Sequence, residues 1–160
     1  AALTGHMVLS TLHTNDAPST INRLLNMGIE PFLVSSSVNL VLAQRLARKV
    51  CNECAEDIEV PKQALLDIQV APDTVDEFHL RKGRGCHMCN DTGYKGRIAL
   101  YEVMVVGQEI QEFILNGASA AEIKRESIRL GMKSMRQSGI SKLKEGVTTL
   151  EEVVRATAQD

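Results

Sequence analysis

The sequence contains no tryptophan, and aromatic residues make up only 3 % of its 160 residues. With 44 % apolar residues a core can form, and that core must be aliphatic. No apolar run approaches the roughly 20 residues that cross a bilayer as a helix, and no signal peptide is visible. Neither sign of charge dominates. The formal net charge of −2 gives no global indication of a nucleic-acid or polyanion partner. Internal repeats and low-complexity tracts are missing, and the apolar stripes are too short and narrow for a coiled coil. The length suits one domain, or one and a half. Cysteine is scarce as well, with four in all, but their arrangement carries most of what can be read.

The cysteines form two pairs, Cys51-Asn-Glu-Cys54 and Cys86-His-Met-Cys89, with 31 residues between them. Two Cys-x-x-Cys pairs read as a four-thiolate metal site. Thiolate is a soft ligand, and a tetrahedral four-sulfur shell suits zinc. The gap is longer than in a short zinc ribbon, so a small excursion loops out between the halves. Two disulfides or free thiols are the rival readings. Reduced cysteines point to a cytoplasmic protein. A closed Cys51, Cys54, Cys86, Cys89 shell leaves no open position for substrate, so its role is structural. His79 and His87 are also suitable ligand types, but four cysteines already fill the shell.

Ala1 to Gly5 read as the last turn of a helix with its glycine cap, as in a fragment that starts inside a larger protein. The run His6-Met-Val-Leu-Ser-Thr-Leu12 is mostly apolar without clean alternation, which predicts a strand buried on both faces. It ends in His13-Thr-Asn-Asp16. Pro18 then suits the first turn of a helix capped by Asp16 or Ala17, with Ile21, Leu24 and Leu25 on one face and Gly28 as the stop. A second short helix is predicted from Pro31. Residues 41–50 alternate imperfectly and fit a helix as well as a strand. The strand reading is preferred because 96–104 is a strong strand candidate, and an antiparallel pair would have the metal knob inserted at its turn. Between the cysteine pairs, 61–68 predicts a helix and 71–77 a loop. After Met104 the pattern is helical, in four short amphipathic segments with glycine stops at Gly117, Gly131 and Gly146. Ser119-Ala-Ala-Glu122 and Thr149-Leu-Glu-Glu152 read as capping boxes.

Two histidines bracket the first predicted strand. The plain reading is two satisfied polar residues at strand ends. The functional reading is that His13, beyond the carboxyl end of a strand in an α/β sheet, faces a ligand. Arg45, Arg48, Lys49, Arg81, Lys82, Arg84, Lys95 and Arg97 gather around the cysteines in sequence. Cations favour a dianionic four-thiolate centre, and that is a sufficient account; contact with a phosphate, a lipid headgroup or an acidic partner is the alternative. A nucleic-acid interface would want interleaved aromatics and a basic balance, and both are lacking. The six methionines read as core filler.

Several stretches, in order, resemble one family. Thr4-Gly-His-Met-Val-Leu-Ser-Thr-Leu-His-Thr-Asn-Asp16 looks like the histidine box of the hexameric secretion ATPases, the motors of type II secretion and type IV pili. Gln44 to Cys51 resembles the approach to their tetracysteine module. Gly85-Cys-His-Met-Cys-Asn-Asp-Thr-Gly-Tyr-Lys-Gly-Arg97 resembles its exit. Leu100-Tyr-Glu-Val-Met104 and Gly146-Val-Thr-Thr-Leu-Glu-Glu-Val-Val-Arg155 are similar to the family's tail. Asn116-Gly-Ala-Ser119 and Leu100-Tyr-Glu-Val lean toward the pilus-extension motor.

The resemblance implies an α/β fold: the C-terminal portion of a RecA-like P-loop ATPase domain, with an inserted zinc module and a C-terminal helical subdomain. The implied segments are 1–50 (partial core with the histidine box), 51–95 (zinc insertion), 96–106 (returning core strand) and 107–160 (helical subdomain). It also implies a cytoplasmic homo-hexamer, peripheral to the inner membrane, in which ATP hydrolysis acts on a membrane platform protein, with no nucleic acid involved. His13 becomes the histidine that reaches the γ-phosphate, His6 its partner within the box, and the four cysteines the zinc ligands. One departure is large: no Gly-x-x-x-x-Gly-Lys-Ser/Thr occurs, so the phosphate cradle and the Mg²⁺-binding hydroxyl are not in this chain. By itself this chain is therefore expected not to hydrolyse ATP. The alternatives are a stand-alone zinc-stabilised interaction or nucleic-acid module, and a redox-switched protein cycling its cysteine pairs through disulfides.

Overall fold

The computed structural model describes residues 2–157. The chain divides into two compact units, Ala1–Ala43 with Tyr101–Ser134, and Gln44–Leu100 with Met135–Asp160. Two long strands, β1 (Leu40–Val50) and β4 (Tyr94–Val105), pair with each other and contribute residues to both units. Val106 N–H donates to Asn39 O at one end and Cys51 N–H to Gly93 O at the other, each at 2.9 Å, so the strands run in opposite directions. The hairpin expected from the sequence is present, with everything between its strands looped out at one end.

In the first unit, α1 (Ala17–Asn26) begins where the sequence predicts. Asp16 Oδ1 accepts from Ser19 N–H at 2.7 Å, Pro18 lies in the first turn, and Gly28 follows with φ +84°. The second helix, α2 (Pro31–Ser37), starts at its proline. After β4 come α4 (Gln108–Leu115) and α5 (Ala120–Arg129), the latter with both halves of its capping box formed. Ala17, Ile21, Val34, Met104, Ile110, Ile114 and Ile123 meet in an aliphatic core. Along β4, Glu102 and Met104 point inward while Tyr101, Val103 and Val105 stay exposed, the period-2 pattern of a sheet with one packed face.

One expectation is corrected here. Residues 6–12 form no strand. Among the described residues β1 and β4 pair only with each other, and a strand needs neighbouring N–H and C=O groups to exist. The run lies open, with Met7 at 88 % and Leu9 at 86 % exposure. Before it, Ala2–Thr4 form a single 3-10 turn closed by Gly5 at φ +85°.

In the second unit, β2 (Ala55–Asp57) pairs antiparallel with β3 (Arg81–Gly83), Glu56 standing opposite Lys82. Between them lie α3 (Lys62–Asp67) and a 3-10 helix over Pro72–Glu77 where a loop was expected. Pro72 presets the backbone angle for that helix, and Val75 is pulled into the core. Leu65, Ile68, Val70, Val75 and Leu80 pack with Leu143 and Val153 from α6 (Met135–Lys144) and α7 (Leu150–Ala156). Of the six methionines, Met104, Met132 and Met135 are buried, while Met7, Met27 and Met88 are exposed, so the core-filler reading holds for half.

Candidate functional site

The hairpin's far end builds the first site. Cys51 directly follows β1, and Cys54 comes on a turn in which its N–H donates to Cys51 O at 3.3 Å. Cys86 comes just after β3, and a 3-10 turn over His87–Cys89 closes back on it. That second knuckle needs left-handed backbone at Asn90 (φ 51°) and Asp91 (φ 58°), which asparagine and aspartate tolerate better than other residues. Where the knuckle returns to the hairpin, two backbones touch: a Cβ on Gly83 would lie 2.1 Å from Gly93 O. Only paired glycines allow that approach.

The four Sγ atoms all lie within 4.8 Å of one another. Cys51 to Cys86 is 4.0 Å, Cys54 to Cys89 3.9 Å and Cys86 to Cys89 3.7 Å. None is disulfide-bonded; a bridge would need about 2.05 Å. Four sulfurs held tetrahedrally about 2.3 Å from one zinc ion lie about 3.8 Å apart, so the cluster has the dimensions of a four-thiolate zinc shell. Burial pushes the Cys54 thiol up, to about 12. At Cys89 burial acts in the same direction, but N–H donors from Cys86 and Gly93 outweigh it, and the value falls to about 6. Those donors reach Cys89 Sγ at 3.2 and 3.3 Å. Backbone amides thus supply positive ends at Cys89, as a dianionic four-thiolate centre favours.

Four of the eight cations that gather around the cysteines in sequence, Arg48, Arg81, Lys82 and Arg84, pair with carboxylates instead. Arg84 meets Glu56 at 3.0 Å, Lys82 meets Glu151 at 3.0 Å, and Arg81 lies 3.9 Å from Asp57. Arg48 lies 4.1 Å over the Tyr94 ring and joins Arg155 on Glu152, whose side chain is 1 % exposed. Glu152 was missed in the sequence as anything beyond a capping residue. The Thr149 half of that box forms, with Thr149 Oγ1 accepting from Glu152 N–H at 3.3 Å. The Glu152 carboxylate turns to Arg48 and Arg155 instead.

The second site is the segment before α1. His13 is exposed and makes no hydrogen bond or ion pair among the described residues. His6 is also exposed, with Thr4 Oγ1 3.2 Å from its Nδ1; the structure does not join the two histidines. After His13 the chain is tightly held. Thr14 Oγ1 lies 2.8 Å from Thr20 Oγ1. Ala17 N–H donates to Glu102 Oε1 at 2.8 Å, and Glu102 is fully buried. Glu102 too went unnoticed in the sequence, although a glutamate in register with inward-facing Met104 was a readable signal.

Comparison with known proteins decides what this combination belongs to. The family model described as "Type II/IV secretion system protein" matches residues 1–155. This chain is a member of that family. It is 60 % identical over 161 aligned residues to the "Type IV pilus assembly ATPase PilB" of Myxococcus xanthus, covering all of this chain and 28 % of that protein. It is 46 % identical over 159 residues to the PilB of Thermus thermophilus, with 99 % and 18 % covered. To the "Type II secretion system protein E" of Pseudomonas aeruginosa it is 46 % identical over 160 residues, with 100 % and 31 % covered. The chain therefore spans less than a third of the length of these relatives. The family resemblance read from the sequence is borne out, and the mixed α/β fold and four-cysteine cluster agree with it.

Proposed function

We propose that this chain is the part of a hexameric pilus-assembly or type II secretion ATPase that carries the histidine box and the zinc module of the motor domain. The segments 1–50, 51–95, 96–106 and 107–160 are then partial RecA-like core, zinc insertion, returning strand and helical subdomain. The complete protein hydrolyses ATP with Mg²⁺ at the inner face of the membrane and drives a platform protein there. The phosphate cradle of that reaction lies outside this chain. The observation that carries the reading is the family match across residues 1–155.

In this reading His13 approaches the γ-phosphate and His6 supports the same box. What supports it for His13 is an exposed imidazole on a held loop, one turn before a capped helix start. An imidazole N–H there donates to a phosphate oxygen whose charge grows as the bond breaks. Cys51, Cys54, Cys86 and Cys89 hold zinc, which cross-links the two knuckles and does no chemistry on substrate. The test is His13→Ala in the complete hexameric ATPase. Loss of a donor to the transition state predicts a fall in kcat of about 10²-fold, with KM for ATP changed much less. Turnover at the wild-type rate refutes the γ-phosphate role.

A further inference from the structure

Glu102 lies on β4, a strand whose inward neighbours Leu100 and Met104 are apolar. A leucine or methionine at 102 would fill such a position at no electrostatic cost. A carboxylate there loses its hydration, so it persists where something specific needs it. Its Oε1 accepts from Ala17 N–H, the first residue of α1, at 2.8 Å and 85 residues away in sequence. The N–H groups of a helix's first turn have no partner inside the helix, and the helix dipole favours negative charge beside them. Asp16 satisfies Ser19 N–H locally. A local cap fixes where a helix begins along its own axis. A remote carboxylate fixes where that beginning sits relative to the sheet.

We propose that Glu102 is a positioning residue for His13: through Ala17 it locks the start of α1, and with it the exit of the histidine segment, to β4. The links between them are short. Ala17 follows the cap Asp16, the Thr14 hydroxyl donates to Asp16 O at 3.3 Å and contacts Thr20 at 2.8 Å, and His13 is the next residue. This rests on the reading that His13 meets the γ-phosphate. An error of about 1 Å in such a group costs about 10²-fold in rate, which is what a remote anchor guards against.

The experiment measures kcat and KM for ATP, with melting temperature and hexamer content, on the complete ATPase. Glu102→Met keeps the shape and removes the acceptor. Glu102→Gln keeps an oxygen that accepts from Ala17 N–H. Both are compared alone and combined with His13→Ala. The expected result for Glu102→Met is a fall in kcat of about tenfold or more with KM within about twofold, in hexamers that remain folded at the assay temperature. Glu102→Gln recovers most of that loss. Glu102→Met adds nothing in the His13→Ala background, because residues acting through one another are not additive. Wild-type kcat for Glu102→Met, or a full multiplicative loss in the double variant, overturns the proposal while leaving the role of His13 intact. A His13→Ala enzyme with wild-type kcat overturns the γ-phosphate reading and this inference with it.

Discussion

Glu152 shows how much one side chain can organise. Its Oε2 accepts from Arg48 backbone N–H at 2.7 Å, and its oxygens take both guanidinium groups at 2.8 to 3.0 Å. The Arg155 guanidinium foremost, working against burial and helped by Arg48, holds its carboxyl down at about 2, from an ordinary 4.5. Because the folded value lies below the unfolded one, the ionised pair stabilises the fold fully above about pH 4.5. That contribution drains away as the pH falls toward 2. A difference of this size corresponds to about 3 kcal/mol. Glu152→Gln is therefore expected to lower stability by about 2 to 3 kcal/mol at pH 7, and the gap from wild type should close between pH 4.5 and 2. Denaturant unfolding at a series of pH values measures it; a gap that stays constant with pH contradicts the assignment. The sequence could not anticipate this residue. Thr149-Leu-Glu-Glu152 satisfies a local capping pattern, and the competing partner Arg48 lies 104 residues away. Ser119-Ala-Ala-Glu122, with no such competitor, formed the full box.

At the scale of elements, local chemistry was legible wherever it alone decided the outcome. Pro18 and Pro31 start helices, Gly28, Gly117 and Gly146 follow helix ends at positive φ, and the alternation at 41–50 became β1 once its partner β4 was available. The run 6–12 failed for the converse reason: its apolar pattern describes a buried strand, and among the described residues no strand pairs with it. The cysteine spacing announced a cluster, but not the glycine contact that closes it. With Gly83 and Gly93 backbones pressed together, Gly83→Ala must push β3 away from the turn that carries two amide donors to Cys89. Outer contacts of this kind are worth about 10- to 100-fold in metal affinity. The variant is expected to release zinc to a chelator at least about tenfold more readily than wild type. Zinc retention equal to wild type in a timed chelator challenge contradicts the role given to the crossing.

For the whole molecule, membership of the family was readable because its motifs are short and ordered. The histidine box, the two knuckles and the tail each survive as local strings. What the strings do not carry is the remote pairing that fixes them in place, Glu102 to Ala17 and Glu152 to Arg48. In the function proposed above, this chain contributes His13 and a zinc-stapled hairpin, while the phosphate cradle lies outside residues 1–160. ATP hydrolysis by zinc-loaded residues 1–160, measured beside the complete ATPase at equal chain concentration, tests that division most directly. The account predicts turnover by the complete protein and none above background by residues 1–160. Zinc-dependent turnover by residues 1–160 alone would contradict it.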